Sequence, residues 1–320
     1  MLKYLLKRIG QTILIVILVS VLTFFLVDLI PGDVVLNVAG KDDIDEAEYW
    51  KIYYELNLDK STPERFLIWL KGVLKLDFGT SYIYHKPVWE LIRGNIPPTL
   101  YLSLLATLIS VPIGIFFGIV SAVNRKKKSD TIITLTANIC NCLPQFWIGL
   151  LLTFILAVKL KWLPTMGFAW PSKVGLAKHI KFIIMPLICL SLGGIAGFTR
   201  QTRSSMLEVI RQDYIRTARS KGLSKRRVNF KHMMKNGLIP ILTILGGRIS
   251  RMIGGSMIIE NLFAIPGMGV LTRNSIMAKD LPTIQAIVMI TTAFSCIAFL
   301  LTDIAYMIVD PRISLSESKE

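Results

Sequence analysis

Long apolar stretches alternate with short charged stretches along the whole chain. A helix needs about 20 mostly apolar residues to cross the hydrocarbon core of a bilayer. Six stretches approach or exceed that length, and they comprise residues 9–30, 99–123, 131–158, 183–199, 238–259 and 284–308. The pattern predicts an all-α integral membrane protein with about six transmembrane helices. The first stretch exceeds the apolar part of a signal peptide, so we expect a retained helix.

The segment between the first two apolar stretches, residues 31–96, is too long for a simple hairpin. Its apolar side chains recur at helical spacing within residues 46–57 and again within residues 63–74. They are Trp50, Tyr53 and Tyr54, followed by Phe66, Leu67, Leu70 and Leu74. This spacing predicts two short amphipathic helices packed on one face of the membrane domain.

Composition supports the membrane class. Of the 320 residues 52% are hydrophobic, and the mean hydropathy is +0.55. A soluble domain rarely reaches such a value because its surface must stay polar. The net charge of +16 could indicate nucleic acid as a partner. The basic residues lie between the apolar stretches, however, which indicates membrane topology and no nucleic-acid partner.

The most basic segments fall on one predicted side of the membrane. They are the N-terminus, residues 124–128 and residues 200–235. The positive-inside rule places that side, with both termini, in the cytoplasm. Five lysines contradict the rule because they fall on the predicted outer side: Lys159, Lys161, Lys173, Lys178 and Lys181.

These assignments divide the chain by location. The predicted parts are an N-terminal transmembrane helix (1–30), an extracytoplasmic segment with short helices (31–96), a five-helix core (97–310) and a cytoplasmic tail (311–320). The core contains a cytoplasmic loop, residues 202–236, that is too apolar for a plain linker.

The cytoplasmic loop has the pattern of a helix, a glycine turn and a second helix. Four apolar positions share one helical face, namely Leu207, Ile210, Tyr214 and Ala218. Gly222 is suited to the position just after a helix, and Ser224 is suited to cap the next one. Such a pair of helices fits docking to a partner protein. It equally fits an interfacial helix on anionic lipid head groups.

Residues 213–228 resemble the coupling loop of ABC importer permeases. In that family an alanine followed four residues later by a glycine marks the helix that fits a cleft in the ATPase subunit, and Ala218 and Gly222 match this spacing. Arg216 and Thr217 replace the usual Glu and first Ala, as in the peptide/nickel branch. Lys235 and Asn236 also fit that branch. The resemblance implies an ATPase coupling loop whose residues include Asp213, Arg216, Thr217, Ala218, Gly222 and Ser224.

Further segments extend the resemblance over nearly the whole chain. They are Leu-Ile-Pro-Gly-Asp (29–33), Leu-Asp-Phe-Gly-Thr-Ser (76–81), Leu-Pro-Thr-Met-Gly (163–167), Glu-Asn-Leu-Phe-Ala-Ile-Pro-Gly-Met-Gly (260–269) and Asp-Pro-Arg (310–312). Their order matches the first-permease type of the oligopeptide/dipeptide/nickel family of ABC importers. The chain is identified as a member of that family, which implies the type I permease fold.

The resemblance also implies a function. The chain would be the permease subunit that moves peptides, nickel or a nickel chelate across the cytoplasmic membrane. Its implied partners are a second homologous permease, two ABC ATPases, an extracytoplasmic solute-binding protein and the lipid bilayer. No Gly-x-x-x-x-Gly-Lys-Ser/Thr motif occurs in the sequence. We therefore expect no enzymatic activity and no bound cofactor in this chain, with ATP and Mg²⁺ used by the partner ATPases.

Two groups of residues are candidates for the transport path. Arg248 and Arg251 share one face of the fifth predicted span, where they could line a path for a carboxylate or an anionic chelate. The alternative is that they contact the partner permease or extend to the inner interface. A predicted outer, partly re-entrant loop follows the same span, over residues 264–270. It is either a gate, a docking site or a structural turn. Its candidate residues are Glu260, Pro266, Gly267 and Gly269.

Other classes of protein remain as alternatives. A stand-alone secondary transporter or channel would carry ionisable relays deep in its spans, and here the two arginines are nearly alone. A membrane enzyme would need a nucleophile with its base or a metal cluster. The cysteines lie in apolar segments and the three histidines are scattered, so we expect no metal or catalytic site. A plain structural anchor is the third alternative.

Overall fold

The computed structural model describes residues 2–29, 33–40, 44–224, 228, 234–237 and 239–309. Within these ranges the chain is helical apart from connecting turns, and the β-type pairing consists of one bridge between Thr80 and Pro87. The prediction of an all-α protein is therefore confirmed.

Four helices form the N-terminal part. They are α1 (Leu2–Asp28), α2 (Val34–Ala39), α3 (Glu46–Glu55) and α4 (Thr62–Val73). Helices α3 and α4 are the two amphipathic helices that the apolar spacing predicts. In α4 the ring of Phe66 lies 5.3 Å from that of Phe24 in α1, so this helix packs on the first transmembrane helix.

Polar side chains cap the first turns of α2 and α4. Asp33, the last residue of the Pro-Gly-Asp segment, accepts hydrogen bonds from the backbone N–H groups of Val35 and Leu36, which caps α2. Its second carboxylate oxygen accepts from the Tyr49 hydroxyl at 2.9 Å and so ties α2 to α3. Ser61 and Glu64 form a capping box at the start of α4.

The remaining helices follow in chain order. They are α5 (Val88–Val123), α6 (Lys128–Cys142), α7 (Gln145–Leu152) continued by a π-helical segment (Thr153–Lys159), α8 (Pro171–Val174), α9 (Leu176–Ile210), α10 (Asp213–Ser220), α11 (Met234–Gly237), α12 (Ile239–Ser250), α13 (Met257–Leu262), α14 (Met268–Met277) and α15 (Leu281–Val309). Four stretches in the described part of the chain are long and apolar enough to cross a membrane: Arg8–Val27, Val88–Val123, Leu176–Ile210 and Leu281–Ala305.

The third predicted span is bent. Helix α6 and the helix that begins with α7 meet at an angle of 95°, so together they form a broken span or a re-entrant loop. The break lies at Leu143 and Pro144, where Leu143 has an extended backbone. Proline lacks an N–H donor and disfavours the helical conformation in the residue before it, which explains the position of the bend.

The prediction of one continuous helix over residues 238–259 is wrong. Helix α12 ends at Ser250, a turn occupies Arg251 to Gly254, and α13 begins at Met257. Gly255 has a φ of +66°, a left-handed conformation that an α-helix cannot contain. Hydropathy missed this break because the flanking residues are apolar on both sides.

The chain forms two compact units that interleave in sequence. The first comprises Met1–Thr99, Ile253–Met257 and Pro266–Ile297. One of its cores is formed by Phe78, Val88, Ile92, Met268, Leu271, Ala286 and Ile287. The segments predicted from the sequence were defined by their location relative to the membrane, whereas these units are defined by packing. Their boundaries therefore differ.

The second unit comprises Leu100–Met252, Ile258–Ile265 and Ala298–Glu320. Within it α5 and α9 approach closely at Gly114 and Gly118. A Cβ atom at Gly114 would collide with Phe198, and one at Gly118 would collide with Thr202. This is the glycine spacing that lets membrane helices bring their backbones together.

Candidate functional site

The predicted coupling segment folds as a short amphipathic helix, α10, directly after α9. Ile215 and Ala218 are buried on one face, whereas Asp213, Tyr214 and Thr217 are exposed. The buried face packs in a cluster with Ala122 of α5, Met206 of α9 and Val228. One side of α10 is thereby attached to the membrane helices, and the other side remains accessible.

Gly222 ends this helix as the sequence predicts. Its φ is +75°, and the N–H of Leu223 donates to the carbonyl of Ala218 at 3.3 Å, the long bond of a Schellman turn. Among the described residues, a Cβ atom at Gly222 would meet nothing within 4 Å. The glycine is therefore required by the backbone angle and not by the space around it.

The structure describes some of the other predicted coupling residues. Thr217 donates from its hydroxyl to the Asp213 carbonyl at 3.0 Å, and Ser224 is exposed. The Val228 N–H donates to the Ser224 carbonyl at 3.0 Å, as in a helical turn. The side chain of Arg216 and most of the predicted second helix lie outside the described residues.

An ion pair that sequence spacing could not reveal lies near the end of α9. Arg203 Nε donates to Asp130 Oδ1 at 2.7 Å and Nη2 donates to Oδ2 at 3.0 Å, a bidentate pair. The Ser121 hydroxyl and the Lys126 N–H also donate to the Asp130 carboxylate. The pair therefore joins α5, the basic loop that follows it, α6 and α9.

The position of this pair relates it to α10. Arg203 lies two turns before the end of α9, from which α10 follows after a two-residue break. Asp130 is buried although its neighbours in the sequence are basic. In the sequence, the position of Asp130 close to a run of four basic residues, 125–128, could have indicated an ion pair. Nothing in the spacing identified Arg203 as its partner.

The two arginines of the fifth predicted span have different surroundings. Arg248 Nε donates to the Thr107 hydroxyl at 2.9 Å, and its Nη2 donates to the Leu190 carbonyl at 3.1 Å. The absence of a side chain at Gly194 makes room for this guanidinium, since a Cβ there would collide with it. Arg251 is exposed and donates to the Gly247 carbonyl in its own turn at 3.0 Å.

The predicted outer loop is divided between the two units. In the second unit Glu260 is buried, and its carbonyl accepts from the Ile265 N–H at 2.8 Å. The Phe263 carbonyl accepts from the N–H of Gly167, the last residue of the Leu-Pro-Thr-Met-Gly segment, also at 2.8 Å.

In the first unit, Pro266 is exposed and Gly267 and Gly269 are buried. The predicted irregular stretch over residues 264–270 is shorter than expected, because α14 begins at Met268. The Met268 N–H donates to the Thr99 hydroxyl at 2.8 Å, which fixes the start of this helix.

The Leu-Asp-Phe-Gly-Thr-Ser segment has a structural role that the sequence did not show. Asp280, fully buried before α15, accepts from the Ser81 hydroxyl, from the Tyr82 N–H at 3.0 Å and from the Thr283 hydroxyl at 2.7 Å. Burial raises the pKa of Tyr82 to about 12, and the negative charge of Asp280 acts in the same direction. The carboxylate thus anchors the loop to the start of α15.

Comparisons with known proteins agree with this architecture. The profile of the family "Binding-protein-dependent transport system inner membrane component" matches residues 114–315, and the profile of the corresponding N-terminal region matches residues 1–103. The chain is 38% identical over 315 residues to the oligopeptide transport system permease protein AppB of Bacillus subtilis, covering 98% of this chain and 99% of that protein. It is 39% identical over 309 residues to a putative peptide transport system permease protein of Brucella abortus, with 96% and 98% coverage.

A solved structure shows the same fold. A chain of the MetNI methionine ABC transporter, determined in inward facing conformations, superposes with a TM-score of 0.57 at 14% identity, covering 69% of this chain and 97% of that one. At this identity the likeness concerns the fold, which is the type I permease fold of ABC importers. Matched over nearly its whole length, the chain belongs to the family of binding-protein-dependent transport system inner membrane components and is a permease subunit.

Proposed function

We propose that the chain forms part of the translocation path of an ATP-driven peptide importer. The substrate class rests on the relatives, which are named as oligopeptide or peptide permeases. These names favour peptides over nickel or a nickel chelate. In this proposal the chain imports peptides across the cytoplasmic membrane together with a second homologous permease, two ABC ATPases that use ATP and Mg²⁺, and an extracytoplasmic solute-binding protein.

Helix α10 is the observation that supports coupling to an ATPase. Its buried face is attached to α5 and α9, so a push on its exposed face is passed to two long membrane helices. Gly222 sets the direction in which the chain leaves the helix. We propose that Asp213, Arg216, Thr217 and Ser224 face the ATPase, while Ala218 and Gly222 give this segment its shape. ATP-driven closure of the ATPases would then move the helix as a rigid body.

The two arginines receive separate roles in this proposal. Arg248 is held by neutral acceptors on α5 and α9, so it positions these helices around the path. Arg251 has an exposed side chain and is the one available to a peptide carboxylate. The segment with Glu260, Pro266, Gly267 and Gly269 would face the outer side, where it gates the path or receives the binding protein.

Co-purification tests the coupling role. The tagged full-length chain is solubilised in mild detergent, and the proteins that accompany it are identified. We expect a P-loop ATPase and a second permease. Gly222→Asp should reduce ATPase recovery several-fold, because a strained turn costs about 1 kcal/mol and the new carboxylate changes the docking face.

Gly40→Asp is the matched control, since Gly40 also has a positive φ, +66°, and a Cβ atom there would meet none of the described residues within 4 Å. It lies at the predicted outer side and should leave ATPase recovery unchanged. Equal loss in both variants would contradict a specific role for Gly222. Failure to recover any ATPase with the unaltered chain would favour a stand-alone transporter.

Uptake measurements test the substrate. Cells that lack the chain are compared with complemented cells for uptake of a labelled dipeptide, a labelled longer peptide, ⁶³Ni²⁺ and a nickel chelate. We expect complementation to restore peptide uptake and to leave both nickel signals unchanged. The opposite pattern would assign the system to nickel.

A further inference from the structure

A basic cavity lies between the end of the π-helical segment and the first turns of α9, in the second unit. Its volume is about 540 Å³, and three lysines line it, Lys161, Lys178 and Lys181, together with Trp162, Leu163 and Phe182. Of the described residues, no acidic one belongs to its lining. These lysines are among those that contradict the positive-inside rule, so their position is not explained by topology.

Among the residues that the structure describes, no acidic group compensates the positive charge of this cavity, because none of the three ammonium groups has an ion-pair partner there. Asp130, in the same unit, pairs with Arg203 instead. Lys178 and Lys181 lie in the first two turns of α9, which has no acidic residue in its first turn. The positive end of the helix dipole adds to their charge. An anion bound here would relieve repulsion among like charges.

The surroundings of the cavity are those of a membrane boundary. The apolar helix that begins with α7 ends at Lys159 on one side of it, and the apolar part of α9 begins on the other. Trp162 is 65% exposed although it is the largest apolar residue of the lining. Exposed tryptophan beside lysine is typical of the depth at which lipid head groups lie.

Exposed aliphatic side chains next to the lysines distinguish a lipid from a soluble anion. Ile180 and Ile184 of α9 are exposed one turn apart, from the level of the lysines toward the apolar part of the helix. A free phosphate would leave these side chains uncovered, whereas the acyl chains of a phospholipid would lie along them.

We propose that the cavity binds the phosphate group of an anionic phospholipid, with phosphatidylglycerol as the probe. The three ammonium groups surround the phosphate, Trp162 and Phe182 pack against the glycerol region, and the acyl chains follow the exposed face of α9. Basic pockets between membrane helices hold anionic head groups on the cytoplasmic side of membranes, and the attraction between ammonium and phosphate groups is the same on the outer side. The site is independent of the transported substrate and of the ATPase contact.

Native mass spectrometry of the solubilised transporter, with this chain at full length, tests the proposal. Phosphatidylglycerol and phosphatidylcholine are titrated separately, and the bound lipids are counted. We expect tighter binding of phosphatidylglycerol. The triple variant Lys161→Gln, Lys178→Gln, Lys181→Gln should weaken it on the order of a hundredfold, because each lysine contributes about fivefold near an anionic lipid.

The triple variant Lys51→Gln, Lys71→Gln, Lys173→Gln removes the same charge from exposed positions outside the cavity. It should retain phosphatidylglycerol as the unaltered chain does. Equal loss in both triple variants, or retention in the cavity variant, would overturn the proposal. Competition by millimolar inorganic phosphate would assign the site to a soluble anion and overturn the lipid assignment.

Discussion

At the scale of single residues, Asp130 and Arg203 form a bidentate ion pair in the second unit. Arginine presents two parallel N–H groups that match a carboxylate, and lysine cannot reproduce that geometry. Asp130 also accepts from Ser121 and from the Lys126 backbone. The Thr134 hydroxyl is a further donor to this carboxylate, at 3.4 Å. Removing the carboxylate therefore leaves four donor groups without their acceptor, whereas removing the guanidinium leaves the carboxylate with three donors.

We predict unequal effects from this asymmetry. Asp130→Ala should lower the free energy of unfolding by about 3 kcal/mol, and Arg203→Ala by about 1–2 kcal/mol. The double variant should lose less than the sum, because the pair is lost once. Thermal unfolding in detergent measures all three. Arg200→Ala, an exposed arginine on the same helix, is the control, and strictly additive losses would contradict the pairing.

The two arginines of the predicted fifth span give a second residue-scale prediction. Arg248→Ala should destabilise the protein by roughly 2 kcal/mol, because the Thr107 and Leu190 acceptors lose a charged donor. Arg251→Ala should change stability by less than about 0.5 kcal/mol. Peptide uptake should nevertheless fall about tenfold, as expected for one lost charged contact.

Melting temperature and initial uptake rate are measured on both arginine variants at equal membrane abundance. Unchanged uptake in Arg251→Ala, for dipeptides and for longer peptides, would remove this residue from the path. A large loss of stability in the same variant would assign it a structural role instead.

At the scale of elements, the contact between α5 and α9 depends on two glycines spaced one helical turn apart. Gly118→Ala should destabilise the protein by about 1–3 kcal/mol, because the new methyl group meets Thr202 and the Thr199 carbonyl. Gly94→Ala in the same helix meets nothing within 4 Å. It should stabilise by up to about 1 kcal/mol, since alanine favours the helix.

Opposite signs for the two glycine substitutions, measured as shifts in melting temperature, are the expected outcome. Stabilisation by both would show that α5 and α9 can separate without cost.

Element-scale predictions from hydropathy succeeded for long helices and failed at breaks. The bend at Pro144 can be expected from the sequence, because proline interrupts a helix. The turn after Ser250 coincides with the positive φ of Gly255, which hydropathy does not report.

At the scale of the whole molecule, the predicted orientation has both termini in the cytoplasm and α10 on the same side. Replacing the four cysteines by serine allows single-cysteine labelling with a membrane-impermeant maleimide. Ser172→Cys, at an exposed position between the bent pair and α9, should react in intact cells. Ser224→Cys, after α10, should react only once the membrane is permeabilised.

The reverse labelling pattern would invert the topology. It would also place α10 on the outer side, where no ATP is present. An ATPase could then not be coupled to transport through α10. Labelling of both positions in intact cells would indicate damaged membranes. The labelling is then repeated in sealed inside-out vesicles, where Ser224→Cys should react and Ser172→Cys should not.

The sequence by itself determined the class of fold, the long helices, the two amphipathic helices and the glycine turn of α10. Those features depend on neighbours within a few turns, which periodicity and hydropathy record. The tertiary structure alone decided which polar residues meet: Arg203 with Asp130, Arg248 with Thr107, and Ser81 with Asp280. These partners lie 73, 141 and 199 positions apart. A hydrogen bond depends on where helices cross, and no local pattern in the sequence encodes that.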